Sequence, residues 1–578
     1  MNVFDYFKKK IMHQVLVLFK EKKIDLELNP EQFTVEPPRE SQFGDLSTNI
    51  CMVYAKKIPL SPSEFAELLK SKLLVFDEIE TINIKSPGFL NFKLNKVFLF
   101  EQVKSILLQN QNYGSTNKNG QNLNIEFVSA NPTGPLHVGH VRGAIIGDVL
   151  GKIYKKLGYN VTTEYYVNDA GNQIDILAKS VFIRYKELVE NLKIDMPEDY
   201  YPGEYLISIA KVILNLYGKK LLNSSEEYYL PIIKEISVNE NLKVIKNDLK
   251  LLDIYIDIYT SEKKLIENSI VDKTIKILEN KDLIYNGILP KPKSMKNSEW
   301  VPRKQKLFKS TLFGDDEDRT ISKSDGSLTY FISDIAYHLD KHNRTNGTLI
   351  NIWGADHAGY VKRMLAAVNS LTGKPDNFII KLCQLVNLSR DSKIIKMSKR
   401  KGTFITLKDI VNEVGSDVVR FIMLTRKNDQ TLDFDFNKVV LKNKENPVFY
   451  VQYAYARICS VLRKADDYDI DQESILNANL NLINHEIQMS LCKKLILWPR
   501  TIENAAKFQE PHRIAFYLID LASEFHSLWA LGREDSNLRF FHDEINEKTY
   551  AHLAIVKATK EIIFAGLDIL SVNAPEEM

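Results

Sequence analysis

Apolar residues along this chain switch between two spacings, and the clearest switch lies between residues 123 and 157. Residues 123–128 form a short, strand-like apolar run. Pro132, Gly134 and Pro135 then interrupt it, after which Ile146, Leu150, Ile153 and Leu157 recur at the spacing of one helix face. The pattern predicts strand, turn and helix. His137, Val138, Gly139 and His140 fall where the helix begins, so unpaired backbone N–H groups and the positive end of the helix dipole would face the same space as two imidazoles. Such a corner suits a polyphosphate. A strand over 160–167 would complete a βαβ unit, whose ligand crevice lies at the carboxyl ends of its strands.

The same reading divides the rest of the chain. Residues 1–112 are a mixed segment with turns at Phe43, Gly44, Asp45 and Leu46 and again around Pro87 and Gly88, expected as a small α+β domain. Residues 113–390 are expected as a Rossmann-like parallel-sheet domain carrying an insertion over about 176–320, mostly helical. Its second half runs through a polar turn at Ser324, Asp325 and Gly326 and a strand-like run over 348–353 that closes on Gly354, Ala355, Asp356 and His357. Residues 391–444 connect this domain to a helical bundle over 445–578, where Ile514, Leu518, Leu521, Phe525 and Leu528 make one core stripe and Leu553, Val556, Ile563 and Leu567 another. The expected fold class is therefore multidomain α/β.

Composition narrows the picture. With 578 residues the chain exceeds what one core supports, and 44% apolar and 26% charged residues describe ordinary globular material. A formal charge of +3 argues against a polybasic coat but leaves room for local basic patches. Cys51, Cys383, Cys459 and Cys492 are scattered with no C-x-x-C pair, so neither a zinc site nor a disulfide framework is expected. The apolar patch near the N-terminus is interrupted by Asp5 and His13 with no cleavage site after it, and no run is long enough to span a bilayer. The reading is a protein of the reducing cytoplasm with no membrane partner.

At the helix start the chain resembles the class I aminoacyl-tRNA synthetases, whose H-x-G-H signature is matched by His137, Gly139 and His140. The wording ANPTGPLHVGH, followed by EYYVNDAGNQI at 164–174, resembles the bacterial arginyl-tRNA synthetases specifically. The likeness continues in order through TYFISDIAYH, GADHAGY, KMSKRKG, NPVFYVQYAYARI and the terminal APEEM. It implies that 1–112 contacts the elbow of the tRNA, that 391–444 holds the lysine signature loop, and that 445–578 binds the anticodon. The implied reaction activates L-arginine with ATP to arginyl-adenylate and pyrophosphate. A ribose hydroxyl of the terminal adenosine of tRNA(Arg) then takes the arginyl group.

A carboxylate is already nucleophilic at neutral pH, so the first step needs positioning and charge stabilisation in place of a general base. The resemblance therefore points to His137, His140, Lys396, Lys399 and Arg400 as catalytic residues. Cations in the second signature would hold the charge growing on departing pyrophosphate. Some arginyl-tRNA synthetases lack the second lysine of that signature and carry one before H-x-G-H. This chain has Lys399, and Gly134, Pro135 and Leu136 in the other region. ATP is expected against Pro132, Gly134, His137, Gly139, His140, Gly354, Asp356, His357, Met397, Ser398 and Lys399, with Mg²⁺ arriving on the nucleotide. Two histidines three apart have metal-ligand spacing in principle, but no third ligand is near.

Arginine recognition needs carboxylates that accept a planar guanidinium. Tyr330 and Asp334, four apart on one helical face, match the side-chain readers. Glu126, Ser129, Asn131 and His137 match positions around the substrate's amino and carboxyl ends, with Asn168 and Gln173 near the same crevice. Without the family match, Asp334 reads as a surface aspartate and Glu126 as a strand-end salt bridge. For tRNA, Tyr450, Trp529, Arg533 and Arg539 are the candidates, with Phe540 beside them, and Tyr450 stands open between core and stacking platform. Tyr455 occupies a position where the family has a histidine. Lys291, Lys293, Lys296, Arg303, Lys304, Lys306 and Lys309, around Trp300, fit either an RNA backbone track or a solvated loop. The expected partners are tRNA(Arg), L-arginine and ATP, with no DNA, and a monomer is expected. The competing readings are a tRNA-binding module without catalysis and a class I synthetase for another amino acid. Two intact phosphate signatures oppose the first, and the ANPTGPLHVGH wording opposes the second.

Overall fold

Five parallel strands carry the part of the molecule that matters for chemistry. In a computed structural model describing all residues except 291–301, 324, 392, 396–404 and 543–544, and the side chain of Ser41, the chain folds as two units. One comprises Asn117–Leu441 and Gln509–His512, the other Met1–Thr116, Lys442–Phe508 and Arg513–Met578.

In the first unit the strands lie side by side in the order Phe378–Cys383, Thr348–Gly354, Asn122–Glu126, Asn160–Val167 and Ile258–Ser261, all parallel. Chain order reverses between Asn122–Glu126 and Thr348–Gly354, which makes the carboxyl ends of those two strands the expected ligand crevice. Side chains alternate across the sheet. On one face Ile125 and Thr163 meet Gly151 of the helix Val138–Lys156. On the other, Glu126 and Asn351 meet Lys341 of the helix Tyr330–Thr345.

The helix Val138–Lys156 is also pinned end to end. Arg142, wholly buried one turn past its start, donates to the carbonyls of Gln384, Arg426, Lys427 and Gln430. Further along, Asp148 pairs with buried Arg420, which also donates to Leu252 O.

The expected insertion over about 176–320 is mostly helical, through Asn172–Glu190, Tyr205–Tyr217, Glu226–Lys250, Glu262–Glu267 and Ile270–Asn280. Among and after these helices, Ile258–Ser261 completes the parallel sheet, and Ile284–Gly287, Gln305–Phe308 and Arg319–Ser322 build a three-stranded antiparallel sheet. Each of these runs is 4 residues long. That is too short for a helix face; Ile258–Ser261 pairs with the distant strand Asn160–Val167, while the other three pair with one another in chain order.

The second unit joins the two ends of the chain. Its N-terminal part is an antiparallel sheet, Val35–Glu36, Leu46–Thr48, Phe89–Leu94 and Ile79–Lys85 in spatial order, with helices that include Val3–Glu21 and Lys96–Gln109. Its C-terminal part is helical, with Pro447–Asp466, Glu486–Leu495, Trp498–Lys507 and Glu547–Leu570 among the helices. Lys493 pairs with Asp45 at 2.7 Å, and Arg500 donates to Val35 O at 2.7 Å while lying over the ring of Phe4. Tyr455 is buried in this core against Phe564. The four cysteines are buried thiols, and among the described residues no helix is long and apolar enough to cross a membrane.

Candidate active site

The strand Asn122–Glu126 ends in a sharp corner. Val128 and Ser129 take φ of 69° and 39°, a region that costs an L-residue about 1–3 kcal/mol and is steepest for a β-branched one. The corner is held by local hydrogen bonds. Ser129 donates from its N–H to Phe127 O and from its hydroxyl to Glu126 Oε1, both at 3.0 Å, and accepts from Tyr166 N–H at 3.0 Å. The loop over 130–136 is then carried mainly by the insertion. Asn241 donates to Pro132 O (2.9 Å), the Tyr205 hydroxyl to Thr133 O (2.6 Å), and Leu136 N–H to the carboxylate of Asp248 (3.1 Å). Tyr205 also lies against Gly134. Burial pushes the Asp248 carboxyl up to about 6.

His137 caps the helix that follows. Its Nδ1 accepts from Gly139 N–H (3.1 Å), and its own N–H donates to His140 Nδ1 (3.3 Å), a capping box made by two imidazoles. Both Nδ1 atoms therefore act as acceptors, so each neutral ring carries its proton on Nε2 as a donor. The rings lie 4.0 Å apart. A Cβ on Gly139 would sit 2.9 Å from His137 Cε1, so the cap itself requires glycine there. His137 forms an antiparallel bridge with Thr406, and Leu407 N–H donates to Leu136 O at 2.8 Å. Lys396, Met397, Ser398, Lys399 and Arg400 lie outside the described residues.

Around the ring of Tyr166, the carboxyl ends of several strands bring acids together. Asp334 accepts from the Tyr360 hydroxyl at 2.6 Å. Burial, reinforced by the charge of Glu126, pushes its carboxyl up to about 7. Glu262, just past the strand Ile258–Ser261, is likewise pushed up to about 7 by burial and then by Asp334 and Asp169. Asp169 accepts from the Ser261 hydroxyl at 2.6 Å and from Lys263 N–H at 2.9 Å. The buried hydroxyl of Tyr166 has no hydrogen-bond partner among the described residues. Acids that hold one another's protons on in this way would be relieved by a cation.

The other predicted residues fall as follows. Glu126, 4% exposed, pairs with Lys341 at 2.5 Å while also accepting from Ser129. The strand-end salt bridge is thus present and buried, at the carboxyl end of the strand Asn122–Glu126. Asn131 donates to Gln173 at 2.5 Å, and Asn168 begins the turn after the strand Asn160–Val167. Tyr330 opens its helix, exposed, with its hydroxyl close over Gly171, whose φ of 87° and lack of a side chain permit the approach. Pro132 is buried in the signature loop. Gly354 ends its strand, and Asp356 and His357 beyond it are exposed, 3.7 Å from one another.

Sequence reasoning missed Tyr360, Glu262, Lys341 and His338. Tyr360 stood in the quoted GADHAGY motif, and Glu262 follows the apolar run IDIYTS, so both were within reach. Of the basic stretch, 291–301 lies outside the described residues, while Lys306 and Lys309 pair with Glu279 and Asp282. Among the described residues no group of three or more His, Cys, Asp or Glu could hold a metal ion.

In the other unit, Tyr450 packs on His526, which bonds back to Tyr450 O. Arg457 lies over Tyr453 and Trp529. A cavity of about 420 Å³ is lined by Lys464, Trp529, Arg533, Arg539, Phe540 and Phe541 among others. Arg539 spends its Nε on Gly532 O.

A parallel sheet with a histidine-capped helix at its switch point defines a class I synthetase catalytic core. Residues 102–443 match the class I tRNA synthetase (R) catalytic domain, 7–94 the arginyl tRNA synthetase N-terminal domain, and 451–578 the DALR anticodon binding domain. The chain belongs to the arginine–tRNA ligase family. It is 46% identical over 582 residues to the arginine–tRNA ligase of Parvibaculum lavamentivorans and 45% identical over 585 residues to that of Bartonella henselae, covering 100% of both chains in each case. The solved arginyl-tRNA synthetase of Thermus thermophilus shares the fold, with a TM-score of 0.73 at 18% identity over 100% of both chains.

Proposed function

We propose that the chain couples L-arginine to ATP, giving arginyl-adenylate and pyrophosphate, and then passes the arginyl group to the 3′-terminal adenosine of tRNA(Arg). The observation that carries this reading is the pairing of two sites at one set of strand ends. One is an imidazole-capped helix start suited to phosphate, the other an acid-rich pocket in which Asp334 and Glu262 are both pushed up to about 7.

In this reading the Nε2–H groups of His137 and His140 donate to phosphate oxygens, and Gly139 admits the nucleotide to the backbone. Lys396, Lys399 and Arg400 stabilise the departing pyrophosphate. Gly354, Asp356 and His357 border the adenosine, with Pro132, Gly134, Met397 and Ser398 completing the nucleotide site. Glu126 receives the α-ammonium, with Ser129, Asn131 and His137 near the carboxylate. Asp334, held by Tyr360, and Glu262 accept the guanidinium, with Tyr330 over the entrance. Mg²⁺ comes with ATP. Tyr450 and the cavity beside Trp529, Arg533 and Arg539 meet the tRNA. The protein works as a cytoplasmic monomer.

ATP–pyrophosphate exchange with each of the amino acids, with and without tRNA(Arg), tests this directly. Exchange should appear with arginine when tRNA is present. Exchange with a different amino acid, or binding of tRNA without any exchange, would overturn it.

A further inference from the structure

The helix Tyr330–Thr345 meets the sheet through charge as well as hydrocarbon. Lys341 is wholly buried, donates to Glu126 Oε2 (2.5 Å) and Asn351 Oδ1 (2.8 Å), and lies 4.7 Å from the centre of the Tyr337 ring. Asn351 in turn donates to His338 Nε2 at 2.8 Å. The opposite nitrogen, His338 Nδ1, must then carry the proton, and it donates to Asp334 O at 2.7 Å. Burial, with the charge of Lys341, keeps this imidazole neutral, well below its usual range. One continuous chain of bonds thus runs from the Glu126 carboxylate to the backbone of Asp334.

Stability does not explain such an arrangement. Moving an ammonium out of water costs several kcal/mol, and well-packed apolar side chains of similar volume serve a core as well or better. What apolar packing does not supply is direction, since hydrophobic contact constrains register weakly. Here the bonds fix a strand end against a particular helical turn.

We propose that this chain of bonds is a ruler. It sets the separation between the acceptor of the substrate's α-ammonium, Glu126, and the acceptor of its side-chain cation, Asp334, so that Lys341 and His338 are positioning residues that select an amino acid by length as well as charge. The inference rests on the assignment of those two carboxylates to the two ends of arginine. With the separation fixed, a homologue one methylene shorter or longer leaves one carboxylate poorly paired. With the ruler cut, the helix can shift and both homologues gain on arginine.

The test is pyrophosphate exchange with tRNA(Arg), comparing arginine with its homologues one methylene shorter and one longer. His338→Phe removes both imidazole bonds while leaving the Glu126–Lys341 pair in place, His338→Gln can remake both, and Lys341→Met removes the centre of the network. The KM for arginine should rise about tenfold in His338→Phe and Lys341→Met with the KM for ATP little changed. The kcat/KM preference for arginine over the homologues should fall by about tenfold, the scale of one methylene in a fitted pocket. His338→Gln should keep most of the preference. If Lys341→Met does not fold, His338→Phe decides the matter, its thermal unfolding being recorded beside it. Unchanged preference in His338→Phe, or equal losses for ATP and arginine, would overturn the ruler. A wild-type protein that fails to exchange with arginine would instead overturn the assignment of function.

Discussion

His137 and Thr406 face each other across an antiparallel bridge, with Leu407 N–H bonded to Leu136 O and Val138 N–H bonded to Ile405 O at 3.3 Å. The stretch that follows the lysine signature is therefore stitched to the residues that begin the histidine signature. Thr406 is itself a cap, its hydroxyl accepting from Asp409 N–H at 3.0 Å, so two helix starts sit back to back at this bridge.

Lys399 lies six positions before Ile405 in the sequence. If its ammonium binds charge that develops on pyrophosphate, Lys399→Ala should lower the exchange rate by about 10²–10³-fold, the effect of removing one transition-state donor. Stopped-flow or exchange kinetics at saturating arginine, ATP and tRNA would measure this, and an unchanged rate would take Lys399 out of the mechanism.

Asp334 should dominate arginine binding. Asp334→Ala strips a partly buried cation of its partner and should cost about 3–5 kcal/mol, nearly abolishing binding. Tyr360→Phe removes one charge-assisted bond to the same carboxylate and should cost less, about 1–3 kcal/mol. Calorimetric titration with arginine would separate the two, and equal losses would assign the recognition elsewhere.

The shifted acids make a prediction about pH. Asp334 and Glu262 are both pushed up to about 7, so below that pH each spends much of its time protonated in the unliganded pocket. A guanidinium favours the ionised forms and expels those protons. Arginine affinity should therefore rise with pH up to about 7 and level off above it. The rise should be about tenfold per pH unit for each carboxyl that must ionise, and Glu262→Gln should flatten the slope. Titrations from pH 5.5 to about 8.5 in buffers of different ionisation enthalpy would show the released protons; affinity that does not change with pH would contradict this picture.

Gly139→Ala separates the cap from the fold. Alanine in a first helical turn is ordinarily harmless or mildly stabilising. Here its Cβ would sit 2.9 Å from the His137 ring, the far end of a side chain that can swing away. Thermal stability should change little, while the displaced imidazole should raise the KM for ATP and slow exchange. A variant with full activity would show that the capped geometry of His137 is dispensable.

Much of this site was legible because its parts are local. A strand ending at Glu126, a loop rich in Pro and Gly and a helix from Val138 follow from spacing and composition, and the stripes of the C-terminal helices announce their own core. The pocket is different in kind. Glu126 and Lys341 are ordinary polar residues until the topology buries them against each other, and Asn351, in the apolar run over 348–353, gives no sign that it will bridge Lys341 to His338. The strands set among the insertion's helices went unread for a related reason: a short run such as Ile258–Ser261 becomes a strand only when a distant strand edge offers it hydrogen bonds. Nor could spacing foresee that Asp45 and Lys493, from opposite ends of the chain, share one unit.

The central claim is that the histidine and lysine signatures act on one triphosphate, and a double-mutant cycle on His140 and Lys399 tests it most directly. Exchange rates with arginine, ATP and tRNA(Arg) would be measured for His140→Ala, Lys399→Ala and the double variant. Groups that stabilise the same transition-state charge should be coupled by about 0.5–3 kcal/mol, so the double variant loses less than the product of the single losses. Losses that multiply without coupling would mean that the two signatures work on separate events.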